Sequence, residues 1–244
     1  RHAVIDLKAQ LARLDTLVEA ARTGGKITDT SHSWIEYIGN LLDAAGGVGG
    51  SAFRPNSASI SPPSCRTEFV LPVEAARDGR FVNPGSEFVI RFDEADYLNH
   101  TTEEFERYAT EMLAAETLAA VFHTSTQMPW GFQLDTARHL YDEVRHCLMG
   151  YEWMQRHGRD PFQSPQFLEV FRWRSTFPPE FQYTLLTMGN EVHAFPYRLR
   201  RVEAHHAAAD TLSEQFVRYD IADETQHVRF GHKWLPELLK TAGE

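Results

Sequence analysis

The sequence has no long hydrophobic run, few cysteines and no excess of basic residues, and each absence excludes a class of protein. No apolar stretch approaches the roughly 18 residues that a membrane-spanning helix requires, so we expect no such helix. The two cysteines, Cys65 and Cys147, lie far apart without a disulfide-framework pattern, and we interpret them as free thiols in a reducing, cytoplasmic compartment. The formal net charge of −10 disfavours nucleic acid and anionic membranes as partners.

The composition is that of a globular protein with a sizeable core. Of the 244 residues, 42% are hydrophobic and 24% are charged. This length suits one large domain, or one domain with an appendage. The sequence changes character near residue 100, so we predict an N-terminal region over 1–100 and a helical domain over 101–244.

The N-terminal region begins with two predicted helices. Apolar residues at helical spacing over 4–22 predict a helix that ends at Gly24-Gly25. Ser31 or Ser33 is the expected N-cap of a second helix that continues to about residue 45. We expect these helices to form a hairpin.

An irregular segment follows the hairpin. Residues 46–64 are rich in Gly, Ser and Pro, which indicates a loop. The stretches 67–73 and 86–92 are rich in β-branched and aromatic residues. They predict brief strands or extended segments that cover the domain.

Long helices dominate the rest of the chain and predict an all-α four-helix bundle. Thr101 or Thr102 is the expected cap of the first helix. A short helix is expected over 166–173, between the second and third long helices. The four long helices are predicted to run from about 103 to a break near Pro129, over about 132–157, from about Glu180 with a kink at Pro196, and over about 210–239.

Two copies of the pattern Asp-Glu-x-x-His organise this bundle. They are Asp142-Glu143-x-x-His146 and Asp223-Glu224-x-x-His227. On a helix, a Glu and a His three residues apart share one face, so each pair offers a carboxylate and an imidazole to the same ion. In carboxylate-bridged di-metal bundles, two helices carry such a pair and the other two each carry a single Glu.

Two further glutamates stand at the spacing that this arrangement needs. Glu111 lies 32 residues before Glu143, and Glu191 lies 33 residues before Glu224. All four lie in largely apolar helical stripes, where a carboxylate is costly unless it is paired or bound to metal. Two divalent ions would balance four carboxylates with neutral imidazoles. The predicted metal ligands are Glu111, Glu143, His146, Glu191, Glu224 and His227.

Other acidic residues compete for this role. Glu116 lies five residues past Glu111, roughly 140° around the helix, so only one of the two can point inward. The spacing favours Glu111 but leaves Glu116 as the alternative. Glu203-x-x-His206 is a third pair of the same kind. It lies roughly 120° off the face of Glu191, and we interpret it as surface charge.

His139 and the two aspartates of the motifs are candidates for supporting roles. His139 lies one turn before Glu143, where it is either an extra ligand or a core histidine hydrogen-bonded to Asp220 or another neighbour. Asp142 and Asp223 suit a second layer, because a ligating His usually gives its other N–H to a carboxylate. Arg145 is expected to hold one of these aspartates in place.

These segments resemble the ferritin-like di-iron carboxylate superfamily, including bacterioferritin, rubrerythrin and the small subunit of ribonucleotide reductase. They are most similar to an uncharacterised bacterial ferritin-like family, in which an IELQAIEL-type helix precedes DEARH and a late DE-x-x-H-x-x-FG-x-x-W segment. The similarity covers about residues 102–240. The segments that carry it are EMLAAETLAAVF (111–122), DEVRHCLMGYEWM (142–154), NEVHAF (190–195) and DETQHVRFGHKW (223–234).

The resemblance implies a di-iron or manganese–iron enzyme that activates O₂. Two ferrous ions would reduce O₂ to a bridging peroxide, which oxidises a small molecule as an oxidase or oxygenase. The expected partners are O₂, that substrate, a reductase as electron donor and a second copy of the chain. Two alternatives stay open: ferritin-type iron storage, and a tRNA-modifying hydroxylase with a local basic patch of Arg198, Arg200 and Arg201.

Overall fold

A computed structural model describes residues 12, 15–25, 29–44, 70–81 and 96–243. The chain divides into two compact units, residues 1–70 and residues 71–244. The boundary separates the N-terminal helices from all of the helices that carry the candidate site.

The N-terminal unit contains helix α1, residues 15–23, and helix α2, Asp29–Ala44. Gly25 follows α1 with a φ of 65°, in the left-handed region that glycine adopts without a steric cost. Ser31 and Ser33 lie inside α2, so the prediction that one of them is its N-cap is wrong. The remaining predicted helical residues 4–14 lie largely outside the described residues.

The second unit is all-helical in the part that the structure describes, as predicted. A single 3₁₀ turn, Pro161–Gln163, lies between α5 and α6. Residues 70–73 of the first expected strand are not in a strand, and the second expected strand lies outside the described ranges. The helices are α3 (Tyr97–Ala109), α4 (Met112–Thr124), α5 (Trp130–Arg156), α6 (Leu168–Arg174), α7 (Pro179–Thr184), a π-helical turn (Leu185–Asn190), α8 (Glu191–Ala207) and α9 (Thr211–Ala242).

Most of these helices join into four long helical segments, here called rods: α3–α4, α5, α7 with the π-helical turn and α8, and α9. The first residues of two rods show how the sequence sets where each rod begins. The first rod begins at Tyr97, where the Asp96 side chain accepts a hydrogen bond from the Asn99 N–H. The predicted cap at Thr101 or Thr102 is wrong, because both hydroxyls bond carbonyls one turn back within the helix. Asp210 caps α9, and its side chain accepts from the Ser213 N–H.

The rods pack as two antiparallel pairs, α3–α4 with α5 and α8 with α9, and α5 also contacts α9. At one end of the bundle the ring of Phe105 stacks on Trp153, with centroids 4.7 Å apart. At the other end Phe132 meets Trp234 edge-on. Two apolar clusters thus lie at opposite ends and enclose a polar region in the middle.

Two rods are interrupted next to a predicted ligand. Thr110 and Glu111 separate α3 from α4. The π-helical turn ends at Asn190, and Glu191 begins α8. Such turns are frequent at functional sites because they redirect a side chain. None of the described helices is both long and apolar enough to cross a membrane.

Candidate metal centre

The structure brings the six predicted ligands together in the middle of the bundle. Their donor atoms fall into overlapping groups whose members lie within 4.8 Å of one another. The imidazoles of His146 and His227 are fully buried, and five of the six side chains are inaccessible or nearly so. Glu111, on the break between α3 and α4, is half-buried. The groups also contain His139 and Asp220.

One half of the cluster surrounds His146. Its Nδ1 atom lies 3.1 Å from Glu111 Oε2, 3.6 Å from Asp220 Oδ1 and 3.8 Å from Glu143 Oε2. Asp220 stands one turn before Glu224 on α9. Its other oxygen accepts hydrogen bonds from the hydroxyl of Tyr108 and from the guanidinium of Arg198.

The other half surrounds His227. Its Nδ1 atom lies 3.5 Å from Glu143 Oε1 and 3.8 Å from both Glu191 Oε1 and Glu224 Oε2. The two oxygens of Glu143 therefore face different histidines. Glu224 also belongs to the group that contains His146. Glu143 and Glu224 are therefore each close to both histidines.

The distances within the cluster and its unpaired polar atoms both suit bound metal ions. Two ligand atoms bound about 2.1 Å from one ion lie about 3.0 Å apart at right angles and farther apart at wider angles, which matches the 3.1–3.8 Å contacts around the two histidines. Buried polar atoms normally have a hydrogen-bond partner. Six potential metal-ligand atoms of the cluster have no such partner among the described residues: Glu111 Oε2, His146 Nδ1, Glu191 Oε2, Asp220 Oδ1, Glu224 Oε2 and His227 Nδ1.

Asp142 and Asp223 each contact the histidine of the other motif, as expected for carboxylates that orient metal-binding histidines. Asp223 on α9 contacts His146 Nε2 at 3.1 Å, and Asp142 on α5 contacts His227 Nε2 at 3.3 Å. Each carboxylate accepts the Nε2 proton, so each Nδ1 lone pair is directed at the cluster. Arg145 contacts both aspartates, and Arg138 binds Asp142 from the surface.

His139 belongs to the cluster and does not bond Asp220. Its Nε2 atom lies 2.8 Å from Glu191 Oε1 and 3.1 Å from Glu143 Oε1. Its ring stacks on that of His227, with centroids 3.7 Å apart. The equivalent position on α9 is Asp220, so the two halves differ at this one turn. His139 remains a candidate extra ligand in the His227 half.

Burial and mutual charge perturb the pKa values throughout the cluster. Burial raises the pKa of Glu111 to about 8, and His146 lowers it only in part. Burial and the charge of Glu224 raise the pKa of Glu191 well above its usual range. Burial lowers the pKa of His227, but contacts with Asp142 and Glu224 outweigh this and raise it to about 9. Without cations, Glu111, Glu191 and His227 therefore hold protons that metal ions would displace.

A cavity of about 650 Å³ opens onto one side of the cluster. The two interrupted rods supply most of its lining, and α6 supplies a further part. Glu111, Glu143, Glu191 and Glu224 all line it. Its apolar lining includes Ala114, Val170, Trp173, Leu186 and Ala194. This volume is in the range of pockets that enclose a small organic molecule.

The competing acidic residues lie elsewhere. Glu116 accepts hydrogen bonds from both terminal guanidinium nitrogens of Arg77, at 2.5 and 2.8 Å. Glu203 and His206 are exposed, and His206 contacts Glu214. The structure thus favours Glu111 over Glu116 and places the third Glu-x-x-His pair on the surface, as expected.

The proposed basic patch does not form. Arg198 is buried between Asp220 and Glu224, and Arg201 is buried against Glu104. Only Arg200 of the three is exposed. The expectation of a surface patch is therefore wrong, because Arg198 lies seven residues after Glu191 and hence on the same helical face.

A longer internal repeat was available in the sequence and was missed. Asp-Glu-x-x-His-x-x-x-Gly-x-x-Trp occurs at 142–153 and again, 81 residues later, at 223–234. The repeated glycines, Gly150 and Gly231, lie where helices approach most closely. The repeated indoles act reciprocally: Trp153 donates to Ser213 at the start of α9, and Trp234 donates to Asp135 near the start of α5.

Comparisons with known proteins return no family, no curated protein and no solved structure that matches the chain.

Proposed function

We propose that the helical unit is a ferritin-like di-iron carboxylate protein that acts as an O₂-dependent oxidase or oxygenase on a small molecule. One observation carries the proposal. Buried carboxylate and imidazole atoms without hydrogen-bond partners face one another and open onto a cavity of substrate size. A helical bundle gains no stability from such a set of like charges unless cations bind there.

Charge balance supports two divalent ions. The cluster contains five carboxylates, the four predicted glutamates and Asp220. Arg198 supplies one positive charge, since it binds both Asp220 and Glu224. Two divalent ions supply the remaining four. The two histidines then bind as neutral imidazoles through Nδ1.

The donor set favours iron. Carboxylate oxygens and imidazole nitrogens in this number suit Fe(II) and Mn(II), whereas structural zinc is held by four ligands in a closed tetrahedron. We therefore propose two iron ions, with a manganese–iron pair as the alternative. When bound, ferrous ions supply the electrons that reduce O₂ and the oxidising power for a C–H bond, an amine or an aldehyde.

The side chains of the protein position the reactants. Asp142 and Asp223 keep a proton on each Nε2 and so orient the two imidazoles. Arg198 holds Glu224 by a 2.8 Å hydrogen bond from Nη2. The apolar lining of the cavity offers a surface on which the apolar part of a substrate can pack beside the cluster. Two further electrons come from the substrate or from a reductase.

Iron storage is the second candidate, because it uses the same ligand types. The cavity favours the enzyme, since iron storage has no use for a partly apolar cavity of substrate size beside the cluster. A tRNA substrate is disfavoured, because two of the three arginines expected to bind it are buried in ion pairs.

The test is ferrous oxidation by Glu191→Gln, with Glu203→Gln as the matched control from the exposed Glu-x-x-His pair. Each protein is loaded anaerobically with about two ferrous ions per chain and mixed with O₂. We expect wild type and the control to consume O₂ much faster than ferrous ion in buffer, and Glu191→Gln to lose most of this rate. Wild-type oxidation no faster than buffer would show that the proposal is wrong. Continued uptake of many iron equivalents into a mineral would favour storage instead.

A further inference from the structure

The cavity contains a buried cation that the metal cluster does not use. Three arginines line it: Arg107, Arg174 and Arg198. Arg198 is neutralised by Asp220 and Glu224. Arg107 donates to the hydroxyl of Tyr197 and lies over its ring. Arg174, in the last turn of α6, is only 8% exposed, and its guanidinium makes no hydrogen bond or ion pair with any described residue.

A buried guanidinium without a partner is unusual. Charged side chains are almost never buried unless they are paired, because their hydration is lost. The Nε atom of Arg174 is enclosed and has no acceptor among the residues described. Arg174 lines the same cavity as Glu143 and Glu191. Burial lowers the pKa of Arg174, and the charges of these two carboxyl groups only partly oppose this.

The positive charge of Arg174 also has no counter-charge once two divalent ions occupy the cluster. Two divalent ions and Arg198 balance the five carboxylates, which leaves no anion for Arg174. The cavity is otherwise walled on this side by Val170 and Trp173, on the same helix. A guanidinium in such a setting suits a carboxylate, which it binds through two parallel hydrogen bonds.

We propose that Arg174 binds the carboxylate of an organic acid substrate, whose apolar part extends through the cavity toward Glu111 and Glu191. This inference rests on the proposed function for the identity of the site, and it adds the substrate class: small monocarboxylic acids with an apolar body. Arg174 supplies the anchoring charge, and the distance between it and the cluster selects which carbon of the acid faces the metal ions.

Probe binding tests this assignment without turnover. Iron-loaded protein is titrated anaerobically by calorimetry with octanoate, benzoate and phenylacetate, and with the matched neutral amides. The variants are Arg174→Gln and Arg174→Lys. Arg172→Gln is the control, because Arg172 lies on the same helix but is exposed and paired with Glu74. Iron content and ligand-free melting temperature are measured for every variant.

We expect at least one acid to bind wild type and the control in preference to its amide. Arg174→Gln should weaken that acid by about 30-fold or more and leave the amide unchanged, and Arg174→Lys should restore part of the affinity. Since Arg174→Gln removes an unpaired buried charge, the ligand-free protein should not melt at a lower temperature.

Two results would overturn the inference while leaving the proposed function intact: iron-replete wild type that shows no preference for any acid over its amide, or an acid affinity that Arg174→Gln does not change. A lower melting temperature for ligand-free Arg174→Gln would also overturn it, by showing that Arg174 has a structural role. Wild type that takes up no iron would instead contradict the proposed function.

Discussion

Replacing Gly150 by alanine should separate the first two rods and disturb the candidate metal centre. A Cβ atom at Gly150 would lie 2.3 Å from the backbone nitrogen of Ala109 and 2.7 Å from the carbonyl oxygen of Phe105. Both are main-chain atoms, so no side-chain rotation relieves the overlap. To reach the 3.4 Å at which ordinary contacts begin, α3 and α5 must move apart by roughly 1 Å.

The cost follows from two opposing effects. Overpacking of this kind typically destabilises a protein by about 1–3 kcal/mol, whereas alanine gains about 0.5–1 kcal/mol over glycine in a helix. A net loss of about 1–2 kcal/mol would lower the melting temperature by about 2–8 °C for a unit of this size. Glu111 follows Ala109 by two residues, so its carboxylate would also move away from His146, which it contacts at 3.1 Å.

Thermal unfolding and metal content measure these effects. Gly189→Ala is the control, because its Cβ would lie 3.5 Å from a side-chain carbon of Leu185, an ordinary contact. We expect Gly150→Ala to melt at a lower temperature and to bind less metal, and Gly189→Ala to match wild type in metal content. A Gly150→Ala protein with wild-type stability and full metal content would refute the packing argument.

The remaining predictions concern the charges around the cluster. Asp142→Asn should weaken metal binding by about 10–100-fold, because a neutral amide replaces the carboxylate that raises the basicity of the His227 imidazole; competition with a chelator measures this, and an unchanged affinity would contradict it. In the metal-free protein the folded-state pKa of Glu111 is raised to about 8 and that of His227 to about 9. Each group binds its proton more tightly in the folded protein than in the unfolded chain. Its contribution to the free energy of unfolding is therefore complete below the unfolded-state pKa and is lost as the pH rises through the folded-state pKa. Metal-free protein should therefore lose stability between pH 6.5 and 9, whereas metal binding, which needs deprotonated ligands, strengthens. The difference in melting temperature between loaded and metal-free protein should widen over that range; a constant or narrowing difference would count against the account.

The long helices were predictable because their apolar periodicity extends over many turns. What the periodicity did not reveal were the local departures from it. The break at Thr110–Glu111 and the π-helical turn at Leu185–Asn190 involve few residues and lie inside otherwise regular patterns. The start of α3 was placed too late because Asp96, not a threonine, satisfies the first N–H groups.

The ligand residues were predictable because chemistry restricts them to a few types at helical spacing. Their neighbours were harder to predict, since a residue such as Arg198 has the same identity on a surface as in a buried ion pair. Arg174 lies on a short helix that no repeat marks, and only the cavity shows what it faces. The repeated Gly and Trp of the two motifs were a signal for helix contact that the ligand pattern alone did not include.

The metal content of the purified protein decides whether the buried cluster binds two metal ions. Wild type, Glu143→Ala and the control Glu203→Ala are expressed with iron and analysed for metal per chain. Glu143 is the informative position because its two oxygens face His146 and His227 separately. We expect about two irons per chain in wild type and the control, and a loss of most of this iron in Glu143→Ala. Wild-type protein that carries no more metal than Glu143→Ala would contradict the account.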